Sequence, residues 1–401
     1  VFTKIQLERY ADILWEYGLK TARTQKYTKG DIITVKFPLV ATDLAEVIHK
    51  KLIEAGMNPI MSMSDTPTME KNFYELAKDH QLEFITPWAR KRAQSVHGNI
   101  YIYAPMDLFH LKSAPKDSMI KKARATKPLK DIQFKRTAMG DYGWTLALYP
   151  TQAMADEANM TLEEYAKQVI KACYLNRKDA VNIWKDINKQ LQRQKKKFDE
   201  ILKNAEYLHI ESKNIDLKIT PGEQRQWMSG NGYNIPSFEL FTSPDWRGTE
   251  GIYYADQPAF VQGNLVQGIT LEFEKGKVVK AHAKKGEEVL QSRLETDAGA
   301  KQIGEFSLTD KRMSKIDKFM ANTLFDENFG GRQGNCHIAI GSCYTECFDG
   351  DESKLTTSMK KKLGFNDSAI HWDIINSEKK MVTAHLKGGK TRVIYEGGMF
   401  K

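Results

Sequence analysis

IITVKFPLVATDLAEVIHKKLIEAGMNPIMSMS, Ile32 to Ser64, decides the fold of the front half of the chain. IITVKFPL is rich in β-branched residues and reads as a strand. Thr42 is placed to N-cap a helix whose apolar positions Leu44, Val47, Ile48 and Leu52 recur at helical spacing, and Gly56 supplies its stop. NPIMSMS is a second short apolar run. Strand, helix and strand in this order form a βαβ unit, and that means a parallel pair.

Reading outward, ERYADILWEYGL carries Leu7, Tyr10, Ile13, Leu14 and Tyr17 at helical spacing, with Gly18 as its expected end. LEFIT and NIYIYAP read as further strands divided by helical segments. No G-x-G-x-x-G or P-loop interrupts this rhythm, so the front half shows no phosphate cradle. From about Asp117 the pattern changes. MTLEEYAKQVIKACYL and VNIWKDINKQLQRQKKKFDEILKNAEYL are long helical patterns, the second with Ile183, Ile187, Leu191, Phe198 and Ile201 along one side. After Asn204 the chain is strand-rich, with hairpin signals around Lys275-Gly276 and Gly388-Gly389. The expected architecture is an α/β N-terminal domain with a largely parallel sheet, residues 1–114. A larger α+β catalytic, metal-binding domain with a mixed or antiparallel sheet follows, residues 115–401.

Composition sets the class. With 401 residues, 41% hydrophobic and 28% charged, the chain is of the ordinary soluble globular kind, with length for two or three domains. It has no apolar run of the roughly 18–20 residues a bilayer requires and no secretory n- and h-region. Four cysteines fit a reducing, cytoplasmic compartment rather than a disulfide framework. Three of them cluster in NCHIAIGSCYTEC, but without the C-x2-C pairs of structural zinc sites, so they read as structural thiols. The net charge of +9 reads as scattered lysine, with short runs at Lys195–Lys197 and Lys360–Lys362 on solvated helix faces. There is no Arg-rich arm and no aromatic-interleaved basic stripe. Neither a nucleic-acid nor a membrane partner is expected.

The chemistry gathers in the second half. In SAIHWDIINS, Ser368–Ser377, strand alternation puts His371 and Asp373 on one face and Trp372 on the other. Burying both polar groups among isoleucines is costly unless something satisfies them. Glu239 interrupts the apolar run NIPSFELFTSPD, Glu305 follows Gly304 in AKQIGEFSL, and Asp326, Glu327 and His337 lie in NTLFDENFGGRQGNCHIAIG. Each alone has a structural explanation. Together, two histidines and three or four carboxylates at strand ends form the nitrogen and oxygen set that suits two divalent ions, Zn, Co, Mn or Mg, in a hydrolase.

NIPSFELFTSPD, LETDAGAKQIGEFSL, NTLFDEN…HIAIG…Y and SAIHWDIINS, in this order, resemble the metallo-aminopeptidases of the aminopeptidase T, AmpS and PepS type. The likeness extends to LERYADILWEYGL and YGWTLALYPTQAMADEANM and so spans nearly the whole chain. It implies Glu239, Glu305, His337, His371 and Asp373 as metal ligands with Glu305 as the bridge. It also implies Glu327 as a further ligand or acid/base group and Tyr344 as the active-site tyrosine. One departure is the loop Phe329–Cys336, longer than the connection typical of the family. The resemblance further implies a homodimer that takes short peptides. The rival readings are a dinuclear phosphoesterase, whose Asp-rich motifs are missing here, a basic RNA-binding module, and a catalytically degenerate member of the same fold.

Overall fold

The computed structural model describes residues 1–261 and 264–401. They pack as two units: Val1–Lys185 with Asn231–Pro236, and Asp186–Gly230 with Ser237–Lys401. The boundary expected at 114/115 falls inside the first unit.

In the first unit, α1 (Lys4–Asp12) opens with a capping box. The Gln6 amide donates to the Thr3 hydroxyl (3.3 Å) and the Thr3 amide to the Gln6 side chain (2.9 Å). The helical path continues through Ile13–Leu19 to Ala22, so Gly18 lies within it rather than ending it. A Cβ on Gly18 would stand 2.6 Å from the Thr145 hydroxyl, so glycine is there for close approach to the sheet. The βαβ unit is β1 (Ile32–Phe37), α2 (Thr42–Glu54) and β2 (Asn58–Met63). Gly56 follows the helix at φ +78°, and the Thr42 hydroxyl donates to the Leu39 carbonyl (2.6 Å) instead of capping.

Next come α3 (Pro67–Leu76), a one-turn helix, α4 (Pro87–Ser95), β3 (Gly98–Tyr103), α5 (Lys116–Ala138) and β4 (Gly143–Leu148). The parallel sheet runs β2-β1-β3-β4 and ends on Asn234–Ile235. LEFIT is not a strand; Leu82 closes a helical turn, Asp79–Leu82, and the chain then passes irregularly into α4. Beneath the sheet's N-terminal edge, Arg23 and Asp31 form a buried ion pair (2.6 Å), and Asp31 also accepts from the Thr28 amide and hydroxyl (both 3.1 Å).

The two long helical patterns are α6 (Leu162–Ala172) and α7 (Ala180–Leu202), and α7 carries the chain into the second unit. That unit holds two antiparallel sheets. The larger contains both expected hairpins. One joins Asn264–Glu274 to Lys277–Lys285 through Lys275 and Gly276, each at positive φ. The other joins Met381–Leu386 to Thr391–Glu396. The smaller sheet is β5 (Met228–Ser229), β6 (Glu239–Thr242), β7 (Ile303–Thr309), β8 (Asn335–Gly341) and β9 (His371–Asn376), in the order β9-β8-β7-β6-β5. Every residue of β7 and β8 is buried, which makes their polar residues the anomaly of the sheet. No helix among the described residues is long and apolar enough to cross a membrane.

Candidate metal centre

Register decides who meets whom. Thr309 pairs with Glu239, Ser307 with both Phe241 and His337, Glu305 with Ala339, Ala339 with Asp373, and Gly341 with His371. Residues paired across a ladder share a face. Glu239, Glu305, His337, His371 and Asp373 therefore lie on one face of four adjacent strands. Small residues, Ala339 and Gly341, stand between them. Cys336, next to His337, turns to the opposite face.

The inward atoms form two overlapping groups, Glu239–Glu305–His337 and Glu305–His371–Asp373. Glu305 belongs to both: its Oε1 is 3.7 Å from His337 Nε2 and its Oε2 is 3.2 Å from His371 Nε2. His337 Nε2 is 3.5 Å from Glu239 and 3.9 Å from Asp373, and His371 Nε2 is 3.3 Å from Asp373. His371 Nδ1 is 2.7 Å from the Ser342 carbonyl. A carbonyl can only accept, so Nδ1 carries a proton, and Nε2, which faces the two carboxylates, is the nitrogen that would give up its proton to hold a cation. Ser307 donates to Glu239 Oε2 (2.7 Å) and steadies it from the same face.

Glu327 stands apart from both groups, just past a short helix (Thr323–Asp326), and still feels Glu239, Asp373 and Glu305 electrostatically. Its loop is held by buried polar side chains. Asp326 accepts from the Met320 and Asn322 amides (2.7 and 2.9 Å). Asn328 accepts from the Phe238 amide (2.6 Å), and Asn335 donates to the Glu327 and Phe329 carbonyls (3.1 and 2.6 Å). Tyr344 meets His371 edge-on at 4.8 Å, and its amide donates to the Ser243 hydroxyl (2.9 Å). Ser307, Ser342, Asn328 and Asn335 were not singled out in the sequence. Only Ser307 had a signal there, two residues beyond Glu305 on the same strand face.

The electrostatics follow from crowding. Burial, with Glu305 and Asp373 nearby, pushes Glu239 up to about 7. Burial also pushes Glu327 well up, and the neighbouring carboxylates add to it. Burial opposes charge on His337, but Glu305, Glu239 and Asp373 outweigh it and lift the ring to about 9. His371 rises in the same way beside Asp373 and Glu305. Asp373 is held below its usual range because His371 and His337 outweigh its burial. Tyr344 is 39% exposed as a residue, yet partial desolvation and the surrounding carboxylates push its hydroxyl far up, so it remains a donor.

The donor set fits divalent cations. His337 Nδ1, His371 Nε2 and Asp373 Oδ1 are buried and have no hydrogen-bond partner among the described residues. Buried polar atoms rarely go unsatisfied, and of these His371 Nε2 and Asp373 Oδ1 face one another and Glu305 across the centre. Imidazole and carboxylate suit Zn, Mn or Co, and no thiolate joins either group.

The sequence profile of the thermophilic metalloprotease family (M29) matches residues 3–400. Aminopeptidase AmpS of Bacillus subtilis is 25% identical over 418 aligned residues, 98% of each chain. Aminopeptidase T of Thermus thermophilus is 26% identical over 411, 96% of each. In fold, the chain is similar to the solved wild-type AmpT from Thermus thermophilus, with a TM-score of 0.80 at 22% identity over 99% of both chains.

Proposed function

The chain belongs to the thermophilic metalloprotease family M29, and from that membership we propose a metal-dependent aminopeptidase that releases N-terminal residues from short peptides at a dinuclear centre. The observation that carries the reading is Glu305, whose two oxygens face two different histidines. Glu239 and His337 would hold one ion, His371 and Asp373 the other, with Glu305 between. Bound there, two divalent cations would supply Lewis acidity, giving a hydroxide nucleophile near neutral pH and a polarised scissile carbonyl.

The remaining work falls to the chain's own side chains. Glu327, outside both ligand groups, takes as a carboxylate the proton released by water and delivers it to the leaving amine. Tyr344 donates its hydroxyl hydrogen to the developing oxyanion. A substrate's free α-amine, which an internal peptide bond cannot offer, would bind a metal or an acidic side chain of the site. The active species is a homodimer, which gel filtration tests directly.

Hydrolysis of leucine p-nitroanilide by the protein as isolated, after chelation, and after restoring Zn²⁺ or Co²⁺ tests the reaction. Activity should vanish and return with the metal, and metal analysis should find two ions per chain. Glu305→Gln should lose bound metal and turnover together. Turnover that ignores the chelator would overturn the assignment.

A further inference from the structure

The excess positive charge is not scattered. Residues 84–139 hold twelve Lys and Arg against three Asp, which is the whole of the +9; the other 345 residues balance, 48 against 48. Structure sharpens the point. This segment contains α4 and α5, which pack against one another, and α5 has no fully buried residue. Arg90, Lys91, Arg92, Arg124, Lys130 and Lys135 are exposed, and none takes part in an ion pair among the described residues.

Large apolar side chains stand among these cations. Trp88 is 68% exposed, Phe134 65%, Met139 62%, Phe84 58% and Ile120 48%. Along α5, Ile120, Arg124, Lys127 and Phe134 recur at steps of four, three and seven and so form a single stripe. Isolated exposed apolar residues need no explanation. Three in two neighbouring helices, with Phe84 just before α4 and Met139 just after α5, set among exposed cations that are mostly without an ion-pair partner among the described residues, do.

We propose that the α4–α5 face of the N-terminal unit docks on an anionic phospholipid surface, a role separate from the peptidase centre and independent of it. Three alternatives fit less of what is seen. A merely solvated face accounts for the lysines but not for Trp88, Phe134 and Ile120. A second copy of the chain is disfavoured, because a two-fold contact through this face would set the entire net charge of one copy against that of the other. Single-stranded nucleic acid would neutralise the cations and stack on Trp88 and Phe134 but leaves the aliphatic Ile120 and Met139 unused. An anionic bilayer uses both sets: Lys and Arg meet the headgroups, and the aromatic and aliphatic tips enter the interfacial layer.

The test is co-sedimentation of the full chain with vesicles of phosphatidylcholine alone or with about one part in four phosphatidylglycerol, at about 0.1 M and about 0.5 M salt. Binding is expected only with the anionic lipid and should weaken by about tenfold or more at the higher salt. Lys130→Glu with Lys135→Glu, and separately Trp88→Ala with Phe134→Ala, should each reduce partitioning about tenfold. Leucine p-nitroanilide turnover and the thermal transition should stay as in the parent, which shows that the variants are folded. Equal binding to neutral vesicles, no binding to anionic ones, or undiminished binding by both variants would overturn the proposal. So would capture of a labelled single-stranded RNA without vesicle binding, or a change of oligomeric state caused by Trp88→Ala with Phe134→Ala, since each assigns the face to another occupant.

Discussion

His371 shows how little freedom one side chain of this centre retains. A backbone carbonyl fixes its tautomer, an aromatic edge covers its ring, and two carboxylates face its free nitrogen. The protons on the centre set a pH dependence. With only the chain's own charges present, His337 titrates at about 9, His371 is raised as well, and Glu239 titrates at about 7. A raised pKa means the group still holds its proton at neutral pH, and each proton must leave before a cation can bind. Metal affinity should therefore climb as pH rises from about 6 to about 9, with protons released on binding. Calorimetric titration in two buffers of different ionisation enthalpy measures that release, and an affinity flat across this range contradicts the assignment. At this scale the sequence was informative where chemistry is carried by residue type. Glu239, Glu305, His337, His371 and Asp373 are out of place in apolar strands. The carbonyl of Ser342 leaves no trace in a sequence, because every residue has one.

Among the elements, β8 combines two demands. It must carry His337 into the centre and leave room for the side chains of β7 and β9. Gly341, opposite His371, answers the second. Its φ is +103°, and a Cβ there would stand 2.2 Å from the Ile370 carbonyl oxygen. Gly341→Ala should cost roughly 2 kcal/mol or more, from strain at positive φ and from the clash. Urea unfolding measures the cost, and an unchanged midpoint would show that the strand relaxes freely. Legibility varied by element for physical reasons. The hairpins at Lys275-Gly276 and Gly388-Gly389 could be read because tight turns demand residues that tolerate positive φ, and all four of these have it. α5 escaped notice because it buries nothing completely, has no apolar stripe of the core-facing kind, and contains Pro128. LEFIT misled because a short apolar run suits a helix end as well as a strand.

For the molecule as a whole, the division into units was the least legible feature. α5, β4 and α6 belong to the first unit, yet the change of rhythm near Asp117 suggested a boundary there. Parallel strands are closed by long crossovers, and a sequence does not announce when the last crossover has returned. The first unit has its own ionic anchor. Arg23→Ala should destabilise it by about 3 kcal/mol, because Asp31 would remain buried without its partner. Burial alone would raise the Asp31 carboxyl, but Arg23 and Thr28 outweigh it and hold it below its ordinary value. A depressed carboxyl stabilises the fold above its unfolded pKa of about 3.9 and loses that contribution as pH falls through the folded value. The gap between parent and variant in urea midpoints should therefore narrow below about pH 4. An equal gap at acid and neutral pH would dissociate the two effects.

The five proposed donors ride on four adjacent strands of one sheet, two of them buried throughout. The backbone of each donor is held by its ladder whether or not ions are present, so a chelator should empty the centre and leave its scaffold standing, ready to be refilled. Circular dichroism before and after chelation should show the same β-sheet signal. Loss of that signal together with the ions would show that the metal, not the sheet, keeps the donors in place.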